Sequence, residues 1–376
     1  MDRSIRKITI EGFKSIRSLQ DFELHDLNIL VGANGAGKSN FVDFFRLLRE
    51  MVEGRLQTTI KVKGGADRHL FMGPEITDYI KGQIYFAQNG YQFTLQPTVN
   101  NSFVLVNEAV YFHGRYADNW YEIASGHDEA QLAEAAINGP HSNVASYVYP
   151  AVASWVVYHF HDTSETAKMR RQHTVRDNER LRPDAANLAA FLWRLKQERT
   201  AVYELIRDTV RLVTPFFDNF LLRPQKSNGD EVILLEWLQK DSDYPFHPSQ
   251  LSDGTLRFIA LTTALLQPDP PATILLDEPE LGLHPYALEI LAGLIQQAVA
   301  RRHPRIPPKT QLIISTQSVT LLNAFAPEDV VVVDRVDGES RFRRLHEDEL
   351  SVWLDEEYTL GELWQKNVMG GLPGYE

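Results

Sequence analysis

The chain has 376 residues, a net charge of −12 and a sequence pI of about 5.5. It has no cysteine, which excludes disulfides, thiol nucleophiles and cysteine-held zinc, and no run of about eighteen apolar residues, so no membrane-spanning helix is predicted. The acidic balance argues against gripping nucleic acid over the whole surface, while leaving room for a local basic patch.

Length sets a prior of two or three domains. The start, Met1-Asp-Arg-Ser-Ile-Arg-Lys, leads into an amphipathic strand and not a signal peptide, which predicts a cytoplasmic protein. Ile5 to Ile10 alternate as a strand, which Gly12-Phe-Lys-Ser-Ile16 continues. Leu27 to Val31 reads as a buried strand. It runs into Gly32-Ala-Asn-Gly-Ala-Gly-Lys38-Ser39, and Asn40 to Leu48 then reads as a helix with an apolar face. Gln83 to Ala87 and Tyr91 to Leu95 alternate around Asn89-Gly90, a hairpin signal. Phe103 to Phe112 reads as a strand pair and Glu129 to Ala136 as a short helix.

Trp155 to Phe160 is a compact strand ending in His161-Asp162. A polar, basic stretch follows from Lys168 to Arg182, with Arg170, Arg171, Arg176, Arg180 and Arg182; it reads as a solvated loop or a nucleic-acid patch. Asp184 to Val213 has helical periodicity, stopped by Pro215. Phe220 to Leu222 and Val232 to Leu238 read as strands joined by a turn at Ser227-Asn-Gly-Asp230. After Pro248, helices at 255–266 and 286–300 alternate with strands at 272–276, 311–315 and 330–334, the pattern of a parallel sheet flanked by helices. Arg301, Arg302 and Arg305 read as a helix end that favours cations, Arg341 to Leu345 as a further strand, and Leu360 to Tyr375 as a tail.

Gly32 to Ser39 fits the phosphate loop G-x-x-x-x-G-K-S/T at every fixed position, in the strand–loop–helix context it needs. Glycines let backbone N–H groups turn inward on phosphate oxygens, and the helix presents its positive end to the same anion. Asn34, Gly35, Ala36, Gly37, Lys38, Ser39 and Asn40 are the predicted ATP-binding residues, with Lys38 on the β- and γ-phosphates and Ser39 on Mg²⁺. Thr273-Ile-Leu-Leu-Asp277-Glu278 is an apolar strand ending in two acids. Asp277 suits Mg²⁺, and Glu278 suits orienting and deprotonating a water. Leu251-Ser-Asp-Gly-Thr255 opens a helix; Ser252 or Asp253 is either a plain N-cap or, with Gly254, part of a second phosphate-contacting element.

Together, Gly12 to Ile16, Gly32 to Ser39, Leu251 to Thr255, Leu276 to Pro285 and Ile313-Ile-Ser-Thr-Gln-Ser318 resemble the ABC-type ATPases of the SMC/RecF/OLD group. Among these they look closest to the small stand-alone bacterial ATPases of the AAA-21-like class. The resemblance implies an α/β ATPase head: a mixed, largely parallel sheet flanked by helices, an antiparallel β subdomain and a short helical insertion. The expected division is an N-terminal lobe over 1–165, an insertion with helices and a hairpin over 166–248, and a C-terminal lobe over 249–376. It implies two heads paired head to tail around two ATP molecules, with Ser252, Asp253 and Gly254 reaching the nucleotide of the opposite subunit. Gln317 stands where the group usually places a histidine; glutamine can donate a hydrogen bond to a γ-phosphate but cannot titrate near neutrality. His159 and His161 share one face of their strand. For this stretch the readings are a structural polar cluster, a nucleotide-sensing equivalent of the group's Q-loop formed by His161 and Asp162, or a metal pair.

About 210 residues separate the phosphate loop from Leu251-Ser-Asp-Gly-Thr255, and about sixty follow the switch region around Gln317. Neither leaves room for a long coiled coil or a fused nuclease. The expected function is therefore a Mg²⁺-dependent ATPase that switches a separate effector, such as a TOPRIM-like nuclease or a toxin, in anti-phage defence or genome maintenance. The rival readings are a RecF-like DNA-binding clamp and an ATP-locked scaffold with negligible hydrolysis.

Overall fold

The computed structural model describes residues 3–114, 118–139, 141–227, 229–300, 310–355 and 358–372. The expectations for Asn228 in its turn and for Arg301, Arg302 and Arg305 lie outside them.

Strands β1 (Ile5–Phe13) and β2 (Ile16–Glu23) form a hairpin. The strand expected to run through Ile16 instead reverses at Lys14 and Ser15, with Lys14 at φ 50°. The reversal pairs Phe13 with Ile16, and both are fully buried. β3 (Leu27–Val31) is followed by the glycine-rich loop and by α1 (Lys38–Val52) and α2 (Leu56–Val62). β4 (Ile80–Phe86), β5 (Asn89–Pro97), β6 (Phe103–His113) and β7 (Asp118–Ala124) complete a six-stranded antiparallel sheet in the order β2-β1-β4-β5-β6-β7. The β4–β5 turn falls at Ala87 and Gln88, two residues before the expected Asn89-Gly90. Gly90 is needed inside the strand, where its missing side chain lets the rings of Tyr85 and Tyr111 meet at 5.2 Å. The expected strand pair over 103–112 is the single long β6, and the expected short helix starts three residues later, as α3 (Leu132–Asn138).

After α4 (Ser142–Val152) comes β8 (Val156–Tyr158). The insertion holds β9 (His173–Thr174), α5 (Leu188–Glu198), α6 (Thr200–Val213), β10 (Phe217–Leu221), β11 (Gln225–Ser227), β12 (Asp230–Ile233) and β13 (Glu236–Gln239). The single expected helix breaks at Arg199 into two, and the strand expected over 232–238 splits so that β12 pairs with β11 and β13 with β10. Then follow α7 (Asp253–Leu266), β14 (Thr273–Asp277), α8 (Pro285–Val299), β15 (Gln311–Thr316), α9 (Val319–Leu322), β16 (Val330–Val336), β17 (Glu339–Arg344), α10 (Glu347–Asp355) and α11 (Leu360–Gln365). The strands expected at 330–334 and near Arg341 to Leu345 are β16 and β17, α10 follows them without having been expected, and α11 stands where the tail from Leu360 was expected. Thr359 caps α11, which tucks Leu363 and Trp364 into the core.

The second six-stranded sheet runs β17-β16-β3-β15-β14-β8, parallel except for β17 at its edge. β3, β14 and β15 are buried at every residue because both faces are covered. Leu30, Leu275 and Ile313 face α1, whose Phe41, Phe44 and Phe45 fill the space between the two sheets. Ile29, Ile274 and Ile314 face the opposite layer, built from α5 to α9 and α11. The predicted 1–165 unit gives β1, β2 and β4–β7 to the antiparallel sheet, but β3 and β8 to the parallel one. Gln311 joins the sheets: its amide accepts from Ile5 N at 2.9 Å and donates to Ile5 O at 2.7 Å. This arrangement brings the carboxyl ends of β3, β14, β15 and β8 together beside the start of α1.

Candidate nucleotide site

The glycine-rich loop is braced from both ends of the chain. Ser340 on β17 donates to the carbonyl of Ala36 at 2.5 Å. Its oxygen lies 2.6 Å from that of Ser15, in the β1–β2 turn, and Asn40 Nδ2 donates to Ser15 at 2.6 Å. Gly37 sits at φ 119°, and a Cβ there would lie 1.9 Å from Ser340 Oγ, so only glycine fits. Asn34 and Gly35 are exposed at the loop's tip and Ala36 is buried. Lys38 opens α1 and is 4% exposed. Its ammonium folds back to donate to the carbonyls of Gly32 at 2.7 Å and Ala33 at 3.1 Å. Burial lowers the Lys38 pKa, while the charges of Glu278, Glu280 and Asp277 pull it back up. Ser39 is exposed on the first turn of α1. Asn40 was expected among the ATP ligands; here its amide is committed to Ser15.

Asp277 ends β14, buried, with Oδ1 accepting from Ser315 Oγ at 2.6 Å. The next residue, Glu278, takes φ 44°, a conformation that costs a non-glycine residue about 1–3 kcal/mol and clusters at functional sites. Its backbone N–H donates to the carbonyl of Ser315 at 3.0 Å. Its carboxylate accepts a short hydrogen bond from Gln317 Nε2, so the strand-end acid and the switch glutamine do meet. Glu280, within the stretch Leu276 to Pro285 that carried the resemblance, accepts from Gln317 N at 2.7 Å, and its other oxygen is buried without a hydrogen bond. Burial pushes the Glu280 carboxyl above its ordinary range, and the Glu278 charge adds to the shift.

On the other side of Asp277 stands the histidine pair. His161 Nε2 lies 2.7 Å from the carbonyl of Asp277, so that nitrogen carries the proton. His159 Nδ1 accepts from Arg46 at 3.1 Å, and Arg46 also reaches Asp277 Oδ2 at 3.5 Å and Asp43 Oδ1 at 2.6 Å. Partial burial lowers the His159 pKa, helped by His161 and Arg46. Asp162 is not brought into this cluster. It is exposed and accepts from Ser164 N and Oγ at 3.2 and 2.6 Å.

Ser252 caps α7 by accepting from Thr255 N at 3.1 Å, as the plain reading had it. Gly254 packs against the loop after β14, where a Cβ would lie 2.3 Å from the carbonyl of Gly282. Asp253 is exposed at the helix start but tied to Arg170 at 2.7 Å. Arg170 corrects an expectation: taken as part of a solvated loop or nucleic-acid patch, it is buried. It donates to the carbonyls of Thr163 at 2.9 Å and Leu251 at 3.0 Å, and to that of Pro248. Arg257, also missed, is buried on α7 and donates to the carbonyls of Phe160 at 2.9 Å, His161 at 3.1 Å and Leu281. An arginine in the apolar run of α7 was the available signal, since a buried charge needs partners.

A phosphate loop at the end of a central parallel strand, two acids at the end of its neighbour but one and a capped helix packed on the following loop define an ABC-type ATPase head of the SMC/RecF group. The chain belongs to the family described as "AAA domain, putative AbiEii toxin, Type IV TA system", whose sequence profile matches residues 27–323. No curated protein matches the chain significantly. Among solved structures, it is similar to an SMC head bound to the C-terminal winged-helix domain of ScpA. The TM-score is 0.59 at 15% identity, covering 93% of this chain and 99% of that one. It is also similar to an SMC head with an extended coiled coil, bound to the C-terminal domain of ScpA derived from Pyrococcus furiosus. Here the TM-score is 0.54 at 14% identity, covering 94% and 99%. At these identities the likeness is one of fold. Among the described residues no helix is long and apolar enough to cross a membrane.

Proposed function

We propose that this protein binds ATP with Mg²⁺, hydrolyses it, and uses the nucleotide state to switch a separate effector protein. The observation that supports this best is the meeting of Glu278 with Gln317 beside Asp277 and Glu280, close enough to Lys38 for all three acids to act on its charge. The exposed Ser39 hydroxyl and the Asp277 carboxylate are hard oxygen donors of the kind Mg²⁺ takes, and they would hold it against the phosphates. Mg²⁺ there supplies charge neutralisation of the phosphate oxygens.

In this reading the loop from Asn34 to Ser39 cradles the phosphates. Lys38 leaves the carbonyls of Gly32 and Ala33 for the β- and γ-phosphates, where its positive charge offsets the negative charge that grows as the bond breaks. Glu278 takes a proton from a water as the water oxygen bonds to the γ-phosphorus and the bond from that phosphorus to the bridging oxygen breaks. ADP and phosphate leave. Gln317 must first release the Glu278 carboxylate, and its amide then donates to the γ-phosphate. Two chains pair head to tail, and Ser252, Asp253 and Gly254 of each cover the nucleotide of the other. The effector is a second chain, with a nuclease or toxin acting in defence or genome maintenance the favoured class.

One observation favours a second reading, the ATP-locked scaffold: the Gln317 amide occupies the very carboxylate that a water needs. Steady-state phosphate release by the wild type and by Glu278→Gln separates the two. Multiple turnovers abolished in the variant support the ATPase. Native mass spectrometry of Glu278→Gln with ATP should show a dimer with nucleotide, and a protein that stays monomeric would sink the head-to-tail pairing.

A further inference from the structure

We propose that His159, His161 and Asp277 form a binding site for a first-row transition dication, which shares only Asp277 with the Mg²⁺ that arrives with the nucleotide. One ring nitrogen of each histidine and a carboxylate oxygen of Asp277 lie within 4.8 Å of one another. The register explains why. β8 and β14 run parallel with Tyr158 beside Leu276, so His159 and Asp277 follow side by side, and His161, two residues on, shares the face of His159. The two imidazole centroids are 4.2 Å apart.

The hydrogen bonds already arrange these groups as ligands. His161 spends its Nε2 proton on the carbonyl of Asp277, which leaves Nδ1 as a bare lone pair; metal-binding histidines are held in this way by a carbonyl on their far nitrogen. Asp277 Oδ1 is engaged by Ser315, while Oδ2, which Arg46 reaches at 3.5 Å, is the oxygen that would turn to an ion. His159 Nδ1 and Asp277 Oδ2 converge on one positive group, the Arg46 guanidinium, at 3.1 and 3.5 Å. Arg46 thus holds the place of a cation. It can yield that place cheaply, because Asp43 keeps its other nitrogen at 2.6 Å.

Two imidazoles and one carboxylate are the donors of zinc, cobalt, iron or manganese, whereas Mg²⁺ prefers oxygen alone. In a tetrahedral site the donors stand about 3.3 Å apart, so a modest closure of the triangle suffices, with the fourth position open. The inference deepens the ATPase reading and rests on it only for the consequence that the ion lies beside the nucleotide. The site itself needs no ATP.

The test is a Co²⁺ titration of the full chain without nucleotide, followed by visible d–d absorption. One Co²⁺ per chain is expected, displaced by Zn²⁺ and not by a large excess of Mg²⁺. The double variant His159→Gln with His161→Gln should bind Co²⁺ about 10–100-fold more weakly while keeping a cooperative melting transition. If that variant does not fold, Arg46→Ala decides: with the competing cation removed, Co²⁺ should bind several-fold more tightly. Absence of the band in wild type, or Co²⁺ affinity unmoved by the histidine changes or by Arg46→Ala, overturns the proposal. Lys38→Ala separates the two readings, since it should lose ATP and keep Co²⁺. A wild type that takes Co²⁺ and never binds ATP would overturn the ATPase reading and leave the metal site standing.

Discussion

Arg257, on the helix opened by Ser252, donates to the carbonyl of His161 at 3.1 Å. His161 in turn donates to the carbonyl of Asp277 at 2.7 Å, and Arg257 also holds Leu281 in the loop beyond Asp277 and Glu278. One buried guanidinium thus links the strand end of β8, the loop after β14 and the helix that Ser252 caps.

Arg257→Ala should therefore cost stability out of proportion to an ordinary surface change. Three carbonyls would lose a charged donor, and the expected loss is about 2–4 kcal/mol in urea unfolding. Arg257→Lys should recover less than half of it, because a single ammonium cannot span three divergent acceptors. A loss below about 0.5 kcal/mol for the alanine variant would show that the link carries no load.

Lys38→Met should abolish ATP binding, measured with a fluorescent analogue, without lowering the melting temperature of the nucleotide-free protein. The Lys38 pKa is lowered by burial, so the unfolded chain holds this proton more tightly than the folded one. Stability contributed at this position accordingly rises with pH through the window from the lowered value up to 10.5, and at neutral pH the charge is a cost. Removing it should leave stability equal or higher at pH 7, with the difference shrinking towards pH 10.5.

Gln317→His should add an ionisation to the rate. Turnover by the wild type should show no titration from residue 317, since an amide has none; the variant should gain an inflection at about pH 6.5, the ordinary histidine value. Identical pH profiles for the two proteins would mean that residue 317 does not reach the reacting groups.

Glu280→Gln should stabilise the nucleotide-free protein at neutral pH. Burial raises the Glu280 pKa above 4.5, so the folded state holds the proton longer than the unfolded one. Its contribution falls as pH rises from 4.5 through that raised value, and above it the full cost of a buried carboxylate is present. Thermal melts of both proteins should diverge above the window and coincide below pH 4.5. The amide still accepts from Gln317 N, so the hydrogen bond at 2.7 Å is retained.

The parts of this site that lie close together in sequence were legible there. Lys38 and Ser39 announce themselves through the glycine spacing, Asp277 and Glu278 through an apolar strand that ends in acid, and the parallel sheet through strand–helix alternation after Pro248. What stayed hidden depends on distant pairing. Nothing local in Ser340 tells that it holds Ala36, and Arg170 reads as one more cation in a basic run until Thr163, Pro248, Leu251 and Asp253 close around it. The Asn89-Gly90 signal misplaced its turn because the glycine serves the packing of Tyr85 on Tyr111. α10 and α11 escaped because their sequence is short and weakly periodic, and α11 is held by tertiary burial of Leu363 and Trp364.

The brace formed by Ser15, Ser340 and Ala36 also sets an order on biosynthesis. A chain emerging from the ribosome displays the whole glycine-rich loop early, yet the hydroxyl that holds its backbone is more than three hundred residues further along. Until residue 340 has been made and β17 has paired with β16, the loop has no support on that side. A nascent chain should therefore remain unable to capture nucleotide while it is being translated, until its own sheet is closed.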